Sequence, residues 1–118
     1  GHLRTMVEAS GVAATVSLGS VPLLEGAKAL LDQGVAPGGT HRNLSSVDDV
    51  VRWGQTHESD RLLLCDAQTS GGLLISVPPE REAALLDELA AGGVETVAAV
   101  GQIVERDALE GHVVEIGT

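Results

Sequence analysis

A chain with no Phe, no Tyr and a single Trp has few ways to fill a core. Large rings carry much of the buried area in most domains. Without them the interior must be assembled from Leu, Val, Ile and Ala, which favours many small elements packed closely. Hydrophobic residues still make up 43% of the chain and charged residues 20%, a globular rather than a disordered balance. The 118 residues suit one domain spanning 1–118, with no internal linker.

The formal net charge is −10. Binding to nucleic acid needs clustered basic charge, so the composition argues against a polyanionic partner and the acidity reads as solubility. Cys65 is the only cysteine, which rules out an internal disulfide and fits a reducing cytoplasm. No apolar run approaches the ~20 residues of a membrane span. The start, Gly1-His2-Leu3-Arg4, lacks the apolar region of a signal peptide.

The pattern along the chain alternates helix and strand. Leu3 to Ser10 reads as a helix closed by Gly11. Val12 to Leu18 alternates as a strand, with Val12, Ala14, Val16 and Leu18 on one face. Ser20-Val21-Pro22 opens a second helix, with Leu23, Ala27, Leu30 and Leu31 at helical spacing and Gly34 as its stop. Val35 to Asn43 reads as a loop because of Pro37, Gly38 and Gly39. Ser46 and Asp49 suggest a helical turn, then a short strand around Val50 to Trp53.

Glu58 to Cys65 reads as a helix capped by Ser59, and Asp66 to Gly72 as a polar loop. Leu73 to Val77 is apolar throughout, the mark of a central strand. Pro78-Pro79 starts a helix that Gly92-Gly93 ends. Val97 to Val104 and His112 to Ile116 close the chain as strands. The expected architecture is α+β: a mixed β-sheet covered by helices on one face.

Two segments carry more glycine and polar groups than plain connections need: Gly38-Gly39-Thr40-His41-Arg42-Asn43 and Asp66-Ala67-Gln68-Thr69-Ser70-Gly71-Gly72. Such segments can bring backbone N–H groups close to an anion, and the Arg42 guanidinium suits phosphate oxygens. Neither is a Walker A loop. Composition alone favours reading them as two surface turns with local caps.

The same residues resemble a known family. Asp66-Ala67-Gln68-Thr69-Ser70-Gly71-Gly72-Leu73-Leu74 is similar to the Asp-Pro-Gln-Thr-Ser-Gly-Gly-Leu-Leu stretch of selenophosphate synthetases, the selenide, water dikinases. Gly38-Gly39-Thr40-His41-Arg42-Asn43-Leu44 resembles their Gly-Gly-Thr-Tyr-Arg-Asn-Leu, and Gly1-His2-Leu3 resembles the end of their Gly-Leu-Leu-Gly-His-Leu segment. The three occur in the family's order and span the chain nearly end to end. Ala67 stands where the family usually has Pro, and His41 where Tyr is common.

The resemblance implies the C-terminal domain of a two-domain, dimeric enzyme of the aminoimidazole-ribonucleotide-synthetase-like type. That enzyme uses ATP, selenide and water to make selenophosphate, AMP and phosphate, with Mg²⁺. The family's reactive Cys or selenocysteine, its nearby Lys and its metal-binding Asp residues belong to the N-terminal domain, so no catalytic or metal-binding residue is expected in this chain. The phosphate- or cleft-facing candidates are Gly39, Thr40, Arg42, Asn43, Gln68, Thr69, Ser70, Gly71 and Gly72. The expected partners are the N-terminal domain, a second copy in the full-length enzyme, ATP and selenide, with no nucleic acid and no membrane. No tightly bound cofactor is expected here. A sister enzyme of the same superfamily and a non-catalytic binding or dimerisation module are the alternatives.

The remaining polar residues have plainer explanations. Cys65 follows three leucines and reads as a buried thiol. The four histidines, 2, 41, 57 and 112, lack a metal-ligand spacing. Asp66 heads its loop and is expected to hold it through an Asx-type hydrogen bond.

Overall fold

A computed structural model describes residues 1–117 of the chain. Helix α1 (His2–Ser10) ends at Gly11, whose φ of 67° is the left-handed conformation that glycine adopts without strain. Strand β1 (Ala13–Ser17) follows directly, buried at Ala13, Ala14 and Val16. Four strands form one mixed sheet in the order β2-β4-β1-β3, where β2 is Val51–Arg52, β3 is Gly101–Val104 and β4 is Val114–Gly117. β1 pairs antiparallel with β3 and parallel with β4, and β2 pairs parallel with β4.

Register sorts the side chains into two kinds of row. Val51, Val114, Ala14 and Ile103 lie opposite one another on one face, and Arg52, Glu115, Thr15 and Gln102 on the other. The apolar face is covered by Val7 of α1, Val47 of α3 (Gly38–Val47) and Cys65 at the end of α4 (Glu58–Leu64). The fold is therefore α+β, as the pattern predicts, a mixed sheet with α1, α3 and the end of α4 against its apolar face. Val7 is fully buried, a contribution on the order of 1.5–3 kcal/mol. Trp53, the one ring, is 8% exposed; its Nε1 donates to Asp48 Oδ1 at 2.8 Å, and the Arg61 guanidinium lies 5.6 Å above its centroid.

Arg4 ties α1 to α3: its Nη1 donates to the Ser46 carbonyl at 2.6 Å, one of the carbonyls that the end of α3 leaves without helical donors. Lys28 Nζ reaches Asp60 Oδ1 at 2.6 Å and joins α2 (Ala27–Asp32) to α4. Among the described residues no helix is long and apolar enough to cross a membrane.

Six expectations from the pattern are corrected. The second helix does not begin at Pro22. A 3-10 turn spans Leu18–Ser20, and α2 starts only after Gly26, whose φ of 79° interrupts any helix there. The stretch read as a loop up to Asn43 is the first half of α3. Pro37 is its N-cap and the two glycines occupy the first turn, where breakers cost least. The helical face Thr40, Leu44 and Val47 was the available signal. Ser46 accordingly sits inside α3, not at a new cap.

The cap of α4 is His57, not Ser59. Its Nδ1 accepts from the Ser59 N–H at 3.4 Å and lies 2.8 Å from Ser59 Oγ. Leu73 to Val77 is not a central strand: among the described residues it has no strand partner, and Leu73 is 91% exposed. Val97 to Val104 pairs only from Gly101 onward. Between them α5 (Pro79–Ala91) forms as the pattern predicts, with Pro79 at its start, Glu80 and Glu82 in its first turn and Gly93 at φ 86° beyond its end.

Candidate functional site

Helix α3 and the end of α4 bring the first motif segment against the second. Thr40 sits in the first turn of α3, 1% exposed. Its Oγ1 donates to Asp66 Oδ1 at 2.8 Å and accepts from the Ala67 N–H at 3.3 Å. One turn later, Asn43 Nδ2 donates to the Cys65 carbonyl at 3.0 Å. Gly39 packs so closely that a Cβ added there would lie 3.4 Å from that of Ala67. Three successive residues after α4 are thus held by three residues of α3. Asp66 does not close an Asx turn. It bridges two elements, and its other oxygen accepts from Gln68 Nε2 at 3.4 Å.

Arg42 is exposed and folds back over the start of its own helix. A Cβ on Gly38 would lie 3.5 Å from Nη1, and one on Gly39 3.9 Å from Nη2. The N–H groups of Gly38 and Gly39 have no intrahelical acceptor, and Pro37 supplies no side-chain cap. A guanidinium and the positive end of a helix dipole therefore share one patch of surface. Like-signed neighbours of this kind are unfavourable until an anion joins them. Among the described residues, Arg42 makes no hydrogen bond or ion pair to an acidic group, whereas Arg4 and Arg52 both do.

The candidates therefore divide. Gly39, Thr40, Asn43 and Gln68 are drawn into one cluster with Asp66, and Arg42 stands at its rim. Thr69, Ser70, Gly71 and Gly72 are exposed. Among the described residues none of the four hydrogen-bonds to α3. Gly71 instead closes a tight turn on its own loop, where an added Cβ would be 3.1 Å from Gln68 Cβ. Thr40 and Asn43 are spent on holding the cluster, and the outward-facing donors are Arg42 and the two glycine N–H groups. Composition could not reveal the Cys65 carbonyl and the Ala67 N–H as partners, because nothing in a sequence marks a backbone group that another element will meet.

Cys65 is 5% exposed and free, and burial pushes its thiol up from the ordinary value. A raised thiol is a poor nucleophile at neutral pH. Among the described residues no group of three or more His, Cys, Asp or Glu could hold a metal ion. A shallow hollow of about 460 Å³ lies on the polar face of the sheet against Thr15, Ser17, Gln102, Glu115 and Glu82. It contains none of the motif residues, and its two carboxylates make it a poor host for a phosphate.

A family of AIR synthase related proteins, through its C-terminal domain, matches residues 1–114. The chain is 45% identical over 109 residues to a selenide, water dikinase of Pseudomonas aeruginosa, covering 92% of this chain and 31% of that protein. It is 43% identical over 103 residues to one of Aeromonas salmonicida, covering 87% and 29%. Against one of Escherichia coli O139:H28 the identity is 40% over 104 residues, covering 88% and 29%. The chain thus spans less than a third of the length of these curated relatives.

Proposed function

The chain belongs to the family of AIR synthase related proteins, as their C-terminal domain, and we propose from that premise that it is the C-terminal part of a selenide, water dikinase. The whole enzyme would make selenophosphate, AMP and phosphate from ATP, selenide and water. In this reading the start of α3 faces the nucleotide cleft. Arg42 and the N–H groups of Gly38 and Gly39 bind phosphate oxygens, while Thr40, Asn43 and Asp66 hold α3 in place against the end of α4. Gln68 and the Thr69–Gly72 turn lie beside that cluster and close over the phosphates. The observation that carries the reading is the exposed Arg42 guanidinium folded over an uncapped helix start.

Mg²⁺, when bound, would neutralise charge as phosphoryl groups transfer. The described residues offer no metal-binding cluster, so the ion's ligands would come from the N-terminal domain. That domain is the main partner in this reading, and the intact enzyme would be a cytoplasmic homodimer. This chain supplies charge and orientation, not a nucleophile. Alone it neither hydrolyses ATP nor makes selenophosphate, and turnover by the isolated chain, seen by phosphorus NMR and lost on denaturation, would refute that.

The test of the site is Arg42→Ala in the intact enzyme. Losing a charged hydrogen bond of roughly 1.5–3 kcal/mol should lower selenophosphate formation about tenfold or more, with the domain still folded. Unchanged kinetics would remove Arg42 from the site.

A further inference from the structure

The peptide groups of Gly38, Arg42 and Ser46 stand in one column of α3. The Ser46 N–H donates to the Arg42 carbonyl, and the Arg42 N–H to the Gly38 carbonyl. At the start of the column the Gly38 N–H has no intrahelical acceptor. At its other end, among the described residues, the Ser46 carbonyl takes no backbone N–H. The Val50 N–H, which would reach it in a continued helix, goes to the Val47 carbonyl at 3.1 Å.

Arg4 fills that place. It comes from α1, 42 residues away in sequence, and its Nη1 donates to the Ser46 carbonyl at 2.6 Å. Its Nε donates to Glu8 Oε1, one turn on, at 3.1 Å, which holds the guanidinium against α3. The other ties of α3 run along a different face. Thr40, Asn43 and Val47 turn inward, to Asp66, to the Cys65 carbonyl and to the core. Arg42 and Ser46 are both exposed, one turn apart on the side away from that row. A helix gripped along one row can still roll about it, and a grip from α1 at Ser46 opposes the roll.

We infer that Arg4 is a positioning residue for the anion site at the start of α3, acting through the Gly38–Arg42–Ser46 column. The inference rests on the phosphate reading of Arg42. By fixing the roll of α3, Arg4 fixes where the Arg42 guanidinium and the Gly38 N–H point. Its charge at the carbonyl end also polarises the column, because a cation is favourable at a helix C-terminus and chained hydrogen bonds strengthen one another. Ser46 lies about 12 Å from Gly38 along the helix axis, so Arg4 acts through α3 and is not itself a ligand.

ATP kinetics of the intact enzyme test it, with Arg4→Ala, Arg4→Lys, Arg42→Ala and the Arg4→Ala/Arg42→Ala double variant. Arg4→Ala should raise KM for ATP about three- to tenfold and leave kcat within about twofold of wild type. Arg4→Lys keeps a cation and a donor and should recover most of the loss. On top of Arg42→Ala, Arg4→Ala should add less than it does alone, since the two act on one site. If Arg4→Ala does not fold, Arg4→Gln, which keeps a donor without the charge, should show the raised KM. A merely structural tie would lower the thermal midpoint and the active fraction, and so the apparent kcat, with KM unchanged. That result, or full additivity of the two substitutions, overturns the inference while the reading of Arg42 stands. Arg42→Ala with wild-type KM and kcat overturns both.

Discussion

Residues 1–67 and residues 68–100 are built from similar amino acids and have different fates. Among the described residues every buried one lies before Asp66 or after Ala108, and none lies between. Both stretches contain helices with sound local signals. α1 and α3 are held by the sheet and by each other through Arg4, whereas α5 has the strongest end signals of all and no buried residue. A helix satisfies its own backbone, so α5 exists without partners. A strand does not, and Leu73–Val77, equally well marked, has no strand partner among the described residues.

The sharpest contrast should come from placing one charge in each region. Val7→Asp buries an unpaired carboxylate and should cost at least about 3 kcal/mol, enough to unfold the domain by circular dichroism. Leu85→Asp on α5 should change the stability of the Trp53-reported core by no more than about 0.5 kcal/mol. Equal losses would erase the distinction.

The junction of the regions should be nearly as sensitive as the core. A Cβ on Gly101 would collide with the Thr15 carbonyl, which cannot move without breaking the β1–β3 ladder. Gly101→Ala should therefore destabilise by about 1–3 kcal/mol in urea melts. A neutral result would mean that the 68–100 stretch rejoins the sheet less closely.

Asp66→Ala tests the seam on the packed side. It strips the buried Thr40 hydroxyl of its acceptor and should cost about 1–3 kcal/mol, recovered in part by pairing it with Thr40→Val. If the double variant is no better than the single, the two side chains are not coupled.

A smaller effect is pH-dependent. Burial raises the Cys65 thiol, so the folded chain keeps its proton when the unfolded chain has lost it. The unfolded state then binds fewer protons, and stability falls as pH rises past about 8.5, with the full contribution present below that. The denaturation midpoint of Cys65→Ala should lack this component of the decline. The smallest effect belongs to the 68–100 stretch. Ala84→Gly should weaken α5 by about 1 kcal/mol locally and speed exchange of its amides, while the core transition stays within about 0.5 kcal/mol of wild type.

Much of the fold is legible in the residues alone. Lone helix boundaries at Gly11, Pro79 and Gly93 follow from φ preferences that travel with the residue. The alternation of Val12 to Leu18 announces a half-buried strand because its period is a property of the backbone. The two motif segments stand out by their glycines and donors, and Arg42 by its guanidinium. Gly38 and Gly39 mislead, since a glycine pair reads as a loop unless one knows that Pro37 has already started a helix.

The sequence by itself determined the α+β class, the identity of most helices and an interior without large rings, because these rest on local dihedral preferences and on periodicity. Only the tertiary structure decided that Thr40 is buried against Asp66, that Asn43 meets the Cys65 carbonyl, and that Arg42 is left facing outward. It likewise decided which apolar run would be a strand: Val114 to Ile116 found neighbours on both sides and Leu73 to Val77 found none. The physical reason is one of range. Helical hydrogen bonds close within four residues, whereas strand pairing and side-chain bridges depend on groups that the chain brings together from far apart.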